Sequence, residues 1–302
     1  MKKILIIENR NDKEVRHIGN YEVKSEPLYK VNVKKHIAQF FRKTPLLPES
    51  FLYESWTNEI DAYDLIIVWE ANINVKALKY MYKMGASHKT VMAFVNKIQK
   101  RERKLHKVAK QLGIKQITYN MYDSSEYGIK YIPQFWDDQK YRLLERKPIE
   151  WDITFLGAAK DRLQEIIAVE NAACQQGFKT NFWIVSNLQH GRTHKEKKRY
   201  EIYLDEANRS KAILDIVGDM NKGLTWRPLE AMFLKKKLIT NYADIVRYDF
   251  YPFYKENILI IKGDNLSEIH DFICKEYVDA EIDLHSYTYI GWLEQIENLQ
   301  NG

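Results

Sequence analysis

The chain has 302 residues, of which 45% are hydrophobic and 13% aromatic, and a formal net charge of +6. That length suits two domains rather than one core, and 20 Tyr with 7 Trp exclude a disordered chain. No apolar run approaches the roughly 20 residues of a membrane span, and the one in MKKILIIENRND is too short for a signal peptide, so a cytoplasmic protein is expected.

In chain order, KKILIIE (2 to 8), DLIIVWE (64 to 70), TVMAFVNK (90 to 97) and KQITYN (115 to 120) read as buried strands, being short, β-branched or aromatic-rich and bounded by polar residues. Between them VNVKKHIAQFFRK, NVKALKYMYKMG and RERKLHKVAKQLG place apolar residues three and four apart, the pattern of a helix with one buried face. The stretch YIPQFWDDQKYRLLERKPIEWD (131 to 152), with two prolines and many charges, reads as the join, so domains are expected over 1–148 and 149–302. The second half repeats the plan. WDITFLG, TNFWIVS, KAILDIV, KKLIT and NILIIKG are strands, and DRLQEIIAVENAACQQG and LSEIHDFICKEY are helices. Alternating strands and helices imply an α/β protein of two Rossmann-like domains, with ligands expected in a central cleft past the carboxyl ends of the strands.

Two cysteines, Cys174 and Cys274, lie in helical patterns without a CxxC partner and are expected to be small packed side chains. Two runs, KIQKRERKLHKVAKQLGIKQ (97 to 116) and GRTHKEKKRY (191 to 200), are dense in Lys and Arg. Each reads as a solvated face or as a surface for phosphate groups, anionic lipid or nucleic acid. His190 and His194 in QHGRTH read as part of a flexible basic loop rather than a metal pair.

Strand ends supply the candidate site. Glu8, Asn9 and Arg10 follow the first strand, Glu70 and Asn72 the second, and Asn96 and Lys97 the third. Glu70 directly follows an apolar run, starts partly desolvated, and is the expected catalytic base. In the second half Gly157 permits close backbone approach, with Lys160 and Arg162 near a helix start suited to phosphate. In GLTWRPLEAM (223 to 232), Gly223 frees the backbone, Thr225 can cap a helix and Pro228 fits its first turn. Arg227 then sits at the positive helix end, which implies a bound anion, and Glu230 is suited to a ribose diol or, alternatively, to capping.

The segments IPQFWD, WDITFLGAAKDR, SKAILDIVGDMNKGLTWRPLEAM, KKLIT and NILIIKG together resemble GT-B-fold glycosyltransferases, most nearly the glycosyltransferase-family-1-like and CgeB-like proteins of bacterial surface-polysaccharide (capsule or lipopolysaccharide) biosynthesis. The resemblance covers mainly residues 131–273. It implies that Glu230 binds the ribose of a nucleotide sugar and that Gly223, Leu224, Thr225 and Arg227 surround its diphosphate. Retaining members often carry a second Glu seven residues earlier, where this chain has Gly223. No DxD element of metal-dependent transferases is apparent, and GxSxG, P-loop and GxGxxG patterns are missing.

The expected activity is therefore metal- and cofactor-independent transfer of a sugar from a nucleotide diphosphate sugar to a growing, lipid-linked surface glycan. The basic helix within 97 to 116 would face an anionic membrane, making the protein peripheral on its inner face. A nucleotide-sugar epimerase or polyol-phosphate transferase would use the same contacts. A nucleic-acid-binding or scaffold protein is the reading from a different class, and nucleic acid is not the expected partner.

Overall fold

The computed structural model describes every residue except 9–12, 31, 45–46, 142–146, 188–190, 219–222, 264 and 302, together with the side chains of Lys35 and Arg42. Asn9, Arg10 and His190, singled out from the sequence, lie outside the described residues. The chain divides into two units, Met1–Gln134 with Tyr289–Gly302, and Phe135–Thr288.

In the first unit the strands are β1 (Lys2–Ile7), β2 (Glu14–Ile18), β3 (Tyr21–Glu26), β4 (Leu65–Trp69), β5 (Thr90–Phe94), β6 (Lys115–Thr118) and β7 (Lys130–Tyr131). They form one sheet in the order β2-β3-β1-β4-β5-β6-β7, parallel except for the β2–β3 pair. The helices are α1 (Lys35–Lys43), α2 (Val75–Lys83), α3 (Lys100–Gln111) and α4 (Met121–Tyr127). Strands covered on both faces must be apolar throughout, which is why ILII in β1 and IIV in β4 are buried without alternation. Asn74 starts α2 by accepting from the Lys76 and Ala77 N–H groups, and Asn120 starts α4 in the same way. The β2–β3 hairpin was not legible in the sequence, because EVRHI carries its charges on an exposed sheet edge.

The second unit contains β8 (Trp151–Ala158), β9 (Thr180–Val185), β10 (Thr193–His194), β11 (Ser210–Asp215), β12 (Lys237–Thr240) and β13 (Ile258–Ile260). Its helices are α5 (Leu163–Gln175), α6 (Tyr200–Asn208), α7 (Arg227–Phe233), α8 (Tyr251–Tyr254) and α9 (Glu268–Cys274). The sheet is parallel throughout in the order β10-β9-β8-β11-β12-β13. The chain therefore enters at a central strand, builds outward to one edge, and returns to build toward the other. That order creates a topological switch point between β8 and β11, where ligands bind in open α/β sheets.

Two expectations change. The join falls at 134/135 rather than 148/149, and the last helix, α10 (Tyr289–Asn301), belongs to the first unit. Trp292 stacks on Trp69 at 5.3 Å, Tyr21 donates to Glu297 at 2.6 Å, and Lys115 Nζ caps the end of α10 by donating to the Leu299 and Gln300 carbonyls. Cys174 and Cys274 are exposed rather than packed. Among the described residues no helix is long and apolar enough to cross a membrane.

The end of α7 carries a local strain. The Lys236 N–H bonds the Ala231 carbonyl and the Lys235 N–H the Met232 carbonyl, a Schellman closure that needs a left-handed residue, and Lys235 supplies it at φ +52°. A side chain there costs about 1 kcal/mol, whereas the Lys235–Asp279 pair it makes is exposed and contributes little. Lys235→Gly is therefore expected to raise the unfolding free energy by about 1 kcal/mol in denaturant titrations.

Candidate functional site

At the switch point the loops after β8 and β11 are drawn together. Arg162, at the start of α5, donates to the Ala158 carbonyl at 3.1 Å and to the Ile216 carbonyl just past β11. A Cβ at Gly218 would lie 2.6 Å from Asp161 Oδ1, so a larger residue there would have to displace the Asp161 carboxylate. Beside Ala158 and Arg162 opens a cavity of about 470 Å³, within the range of small-molecule sites. Its walls are the ends of β8, β9 and β11, the segment leading into α6, and the start of α7.

One wall is held by a buried ion pair. The Glu230 carboxylate is 1% exposed, and Arg227 Nη1 donates to its Oε2 at 2.9 Å. The Tyr203 hydroxyl donates to the same oxygen at 2.5 Å, and the Tyr200 hydroxyl to Oε1 at 2.7 Å. Arg227 also donates to the Leu156 carbonyl of β8 and lies 3.9 Å over the Tyr203 ring. Burial and the Glu230 charge push both tyrosine hydroxyls well above their ordinary range, so they remain protonated donors.

These contacts revise the roles expected for this segment. The cation at the start of α7 is balanced within the helix, by Glu230 three residues on, and does not need a bound anion. Thr225 lies one residue ahead of the cap position, held by Trp226; its Oγ1 accepts from the Arg227 N–H at 3.2 Å and donates to Asp215 Oδ2 at 2.9 Å. Gly223 and Leu224 are buried and do not line the cavity, and the Leu224 N–H donates to the Tyr248 hydroxyl. Lys160 is exposed in a turn at φ +51° and also lies outside the lining. The cavity thus gathers Gly157, Arg162, Thr225, Arg227 and Glu230 from the expected set.

It also gathers residues that the sequence reading did not place at the site. Lys197 and Lys198, from the basic stretch before α6, line the cavity, and Lys198 Nζ sits 4.1 Å from the centre of the Trp183 ring, whose plane stacks on His194 at 3.5 Å. Trp226 stands 44% exposed at the rim, edge-on to Tyr200. Asp215 ends β11 within the lining, 3% exposed. Burial pushes its carboxyl up to about 6, against the Thr225 hydrogen bond and the Arg227 and Arg162 charges that pull it down. Asp215 was detectable in principle, as the one acid inside the apolar run AILDIV.

In the first unit Glu70 is sealed. It is 1% exposed, with Oε2 accepting from the Val95 N–H at 2.8 Å and Oε1 from Asn96 Nδ2 at 2.6 Å. Burial raises its carboxyl as expected, but both oxygens join the end of β4 to the loop after β5. Strand-end position predicted the desolvation, and could not predict that the Val95 N–H and the Asn96 side-chain amide would take the two carboxylate oxygens. Among the described residues no group of three or more His, Cys, Asp or Glu is placed to hold a metal ion.

No protein-family model matches the chain, and no curated protein matches it. Similar solved structures include an alpha-glucosyltransferase in complex with UDP and a 13-mer DNA containing a central A:G mismatch, at TM-score 0.49 and 10% identity, over 84% of this chain and 96% of that one. They also include the UDP-GlcNAc 2-epimerase from Methanocaldococcus jannaschii, at TM-score 0.49 and 12% identity, over 100% of both chains.

The site has two measurable consequences. Glu230→Ala leaves the Arg227 charge buried and uncompensated and is expected to lower the unfolding free energy by about 3–5 kcal/mol. Asp215 has a folded pKa of about 6 against 3.8 in the unfolded chain, so the folded state binds more protons between those values and stability falls as pH rises through that window. Measured against Asp215→Asn, the parent is expected to lose on the order of 2–3 kcal/mol from pH 4 to pH 6 and to level off above about 6.

Proposed function

We propose that this chain is a glycosyltransferase whose nucleotide diphosphate sugar donor is held by the second unit's switch-point cavity. The observation that carries the reading is the lining, in which aromatic faces (Trp183, Tyr200, Trp226) and cations (Arg162, Lys197, Lys198) meet at the carboxyl ends of parallel strands. A nucleotide sugar needs both kinds of surface, apolar faces for base and sugar rings and positive charge for the diphosphate.

In this reading Lys197 and Lys198 carry the charge of the leaving diphosphate, because Arg227 is already matched by Glu230 and Arg162 is spent on backbone carbonyls. Developing negative charge is then stabilised by cations the chain itself supplies, without a metal or cofactor. A ribose hydroxyl would replace the Tyr200 hydroxyl at Glu230 Oε1, since Oε2 is held by Arg227 and Tyr203. Trp226 offers its exposed face to the base or a sugar ring. The resemblance of residues 131–273 to GT-B glycosyltransferases supports transfer to a growing, lipid-linked bacterial surface glycan as the overall reaction.

A second reading rests on Asp215. A carboxyl that titrates near 6 beside the cavity can exchange a proton near neutral pH, which epimerisation of a nucleotide sugar requires. The two differ in product mass, because only a transferase enlarges an acceptor.

The test is thermal-shift screening against UDP-, GDP-, CMP- and dTDP-linked sugars, followed by product mass analysis. A ligand at about 100 times its Kd adds about 2.7 kcal/mol of stability, a shift of several degrees. Lys197→Ala combined with Lys198→Ala changes no buried group, and is expected to abolish most of that shift while leaving the ligand-free melting temperature in place. If the best ligand stabilises this variant as well as the parent, the donor is not held in this cavity.

A further inference from the structure

The first unit carries a surface that the donor site does not explain. From Pro27 to Pro48 the sequence contains no acidic residue, while Lys30, Lys34, Lys35, His36, Arg42 and Lys43 fall within it. Helix α1 lies in this stretch. Of its apolar residues only Ala38 is fully buried; Ile37 is 37% exposed and Phe40 59%, three residues apart and so on the same face. Phe51, 52% exposed, meets Phe41 edge-on at 4.8 Å, and Phe41 meets Phe40 at 5.6 Å, so the three rings form one continuous patch. Lys30 Nζ donates to the Phe51 carbonyl at 2.9 Å, which holds a cation at the patch margin.

The patch rests on a fixed support. Lys76 Nζ, from the first turn of α2, donates to the Phe41, Thr44 and Leu47 carbonyls at 2.5, 2.6 and 2.9 Å, satisfying the end of α1 and tying it to the next helix. An element that exposes aromatic rings beside the exposed Lys34 and Lys43 is stable in water only at the cost of wetting its aromatic face. It gains most at a boundary where rings enter an apolar phase and cations meet negative headgroups.

We infer that α1 and Phe51 form an interface for an anionic lipid bilayer, with the Phe40, Phe41 and Phe51 rings entering the headgroup boundary and Lys30, Lys34 and Lys43 facing acidic lipids. The occupant follows from charge. A second copy of the chain would bring the same acid-free stretch against itself, whereas an anionic bilayer complements it. The surface expected from the sequence, the basic helix now seen as α3, lacks the other half of the requirement. Lys104, Lys107 and Lys110 are exposed there, but Leu105 and Ala109 point inward and α3 exposes no large apolar side chain. It is a solvated basic face. The bilayer interface stands on the first unit alone and is independent of the donor reading.

The test is co-sedimentation of the full chain with phosphatidylcholine vesicles and with equimolar phosphatidylcholine and phosphatidylglycerol vesicles. The parent is expected to partition onto the anionic vesicles and much less onto the neutral ones. Phe40→Ser combined with Phe51→Ser should weaken partition about tenfold or more, with an unchanged melting temperature because both rings are exposed. Charge reversal of Lys104, Lys107 and Lys110 should leave most of the partition in place. Absence of partition by the parent, partition unchanged by the two serine substitutions, or loss on the α3 reversal alone each overturns the inference. So does a concentration-dependent dimer in sedimentation velocity that the serine substitutions dissolve, since the patch would then be a self-association surface.

Discussion

The second unit is organised around the buried pair of Arg227 and Glu230. Neither charge could be left alone at this depth, and each is held by further groups: Glu230 by the Tyr200 and Tyr203 hydroxyls, Arg227 by the Leu156 carbonyl and the Tyr203 ring. The pair therefore fastens the start of α7 to α6 on one side and to the end of β8 on the other. Those three elements are among the cavity's walls, so their spacing is set by groups that cannot relax separately.

The sheet order supplies the space that this pair frames. Because the chain begins the second sheet at β8 and returns to β11, the loops leaving these neighbouring strands run to opposite sides and leave a crevice above the strand ends. Arg162 lines it while bonding the Ala158 and Ile216 carbonyls, and Lys197, Lys198 and Trp226 line it as well. Positive charge at the site thus divides into two kinds. The arginines are structural, already matched or bonded to carbonyls, and the lysines are the charges available to a ligand. Besides Glu230, a second buried acid, Asp215, lines the cavity and is linked to the start of α7 through Thr225.

The first unit solves a similar sheet with different devices. Glu70 joins two strand ends through the Val95 N–H and Asn96, and α10 returns from the far end of the chain to pack Trp292 on Trp69. Buried acids at strand ends are thus put to opposite uses in the two units, sealed against backbone in one and facing a cavity in the other. Burial raises both carboxyls, so what separates them is access.

Apolar runs bounded by polar residues determined most of the architecture. ILII, IIV and AIL, short, β-branched-rich and bounded by polar residues, read as strands buried on both faces, and helical patterns between them imply parallel crossovers, so the α/β class was legible. GLTWRPLEAM was legible as a site segment because its spacing puts Arg227 and Glu230 on one turn. Tertiary structure decided which partner each charge would take. Whether Glu70 is open or sealed, and whether KEKK before α6 is a solvated loop or a cavity wall, depend on groups tens of residues away. Local spacing carries no information about those distances. The return of α10 to the first unit was hidden for the same reason, since packing Trp292 on Trp69 is a property of two segments far apart in the sequence.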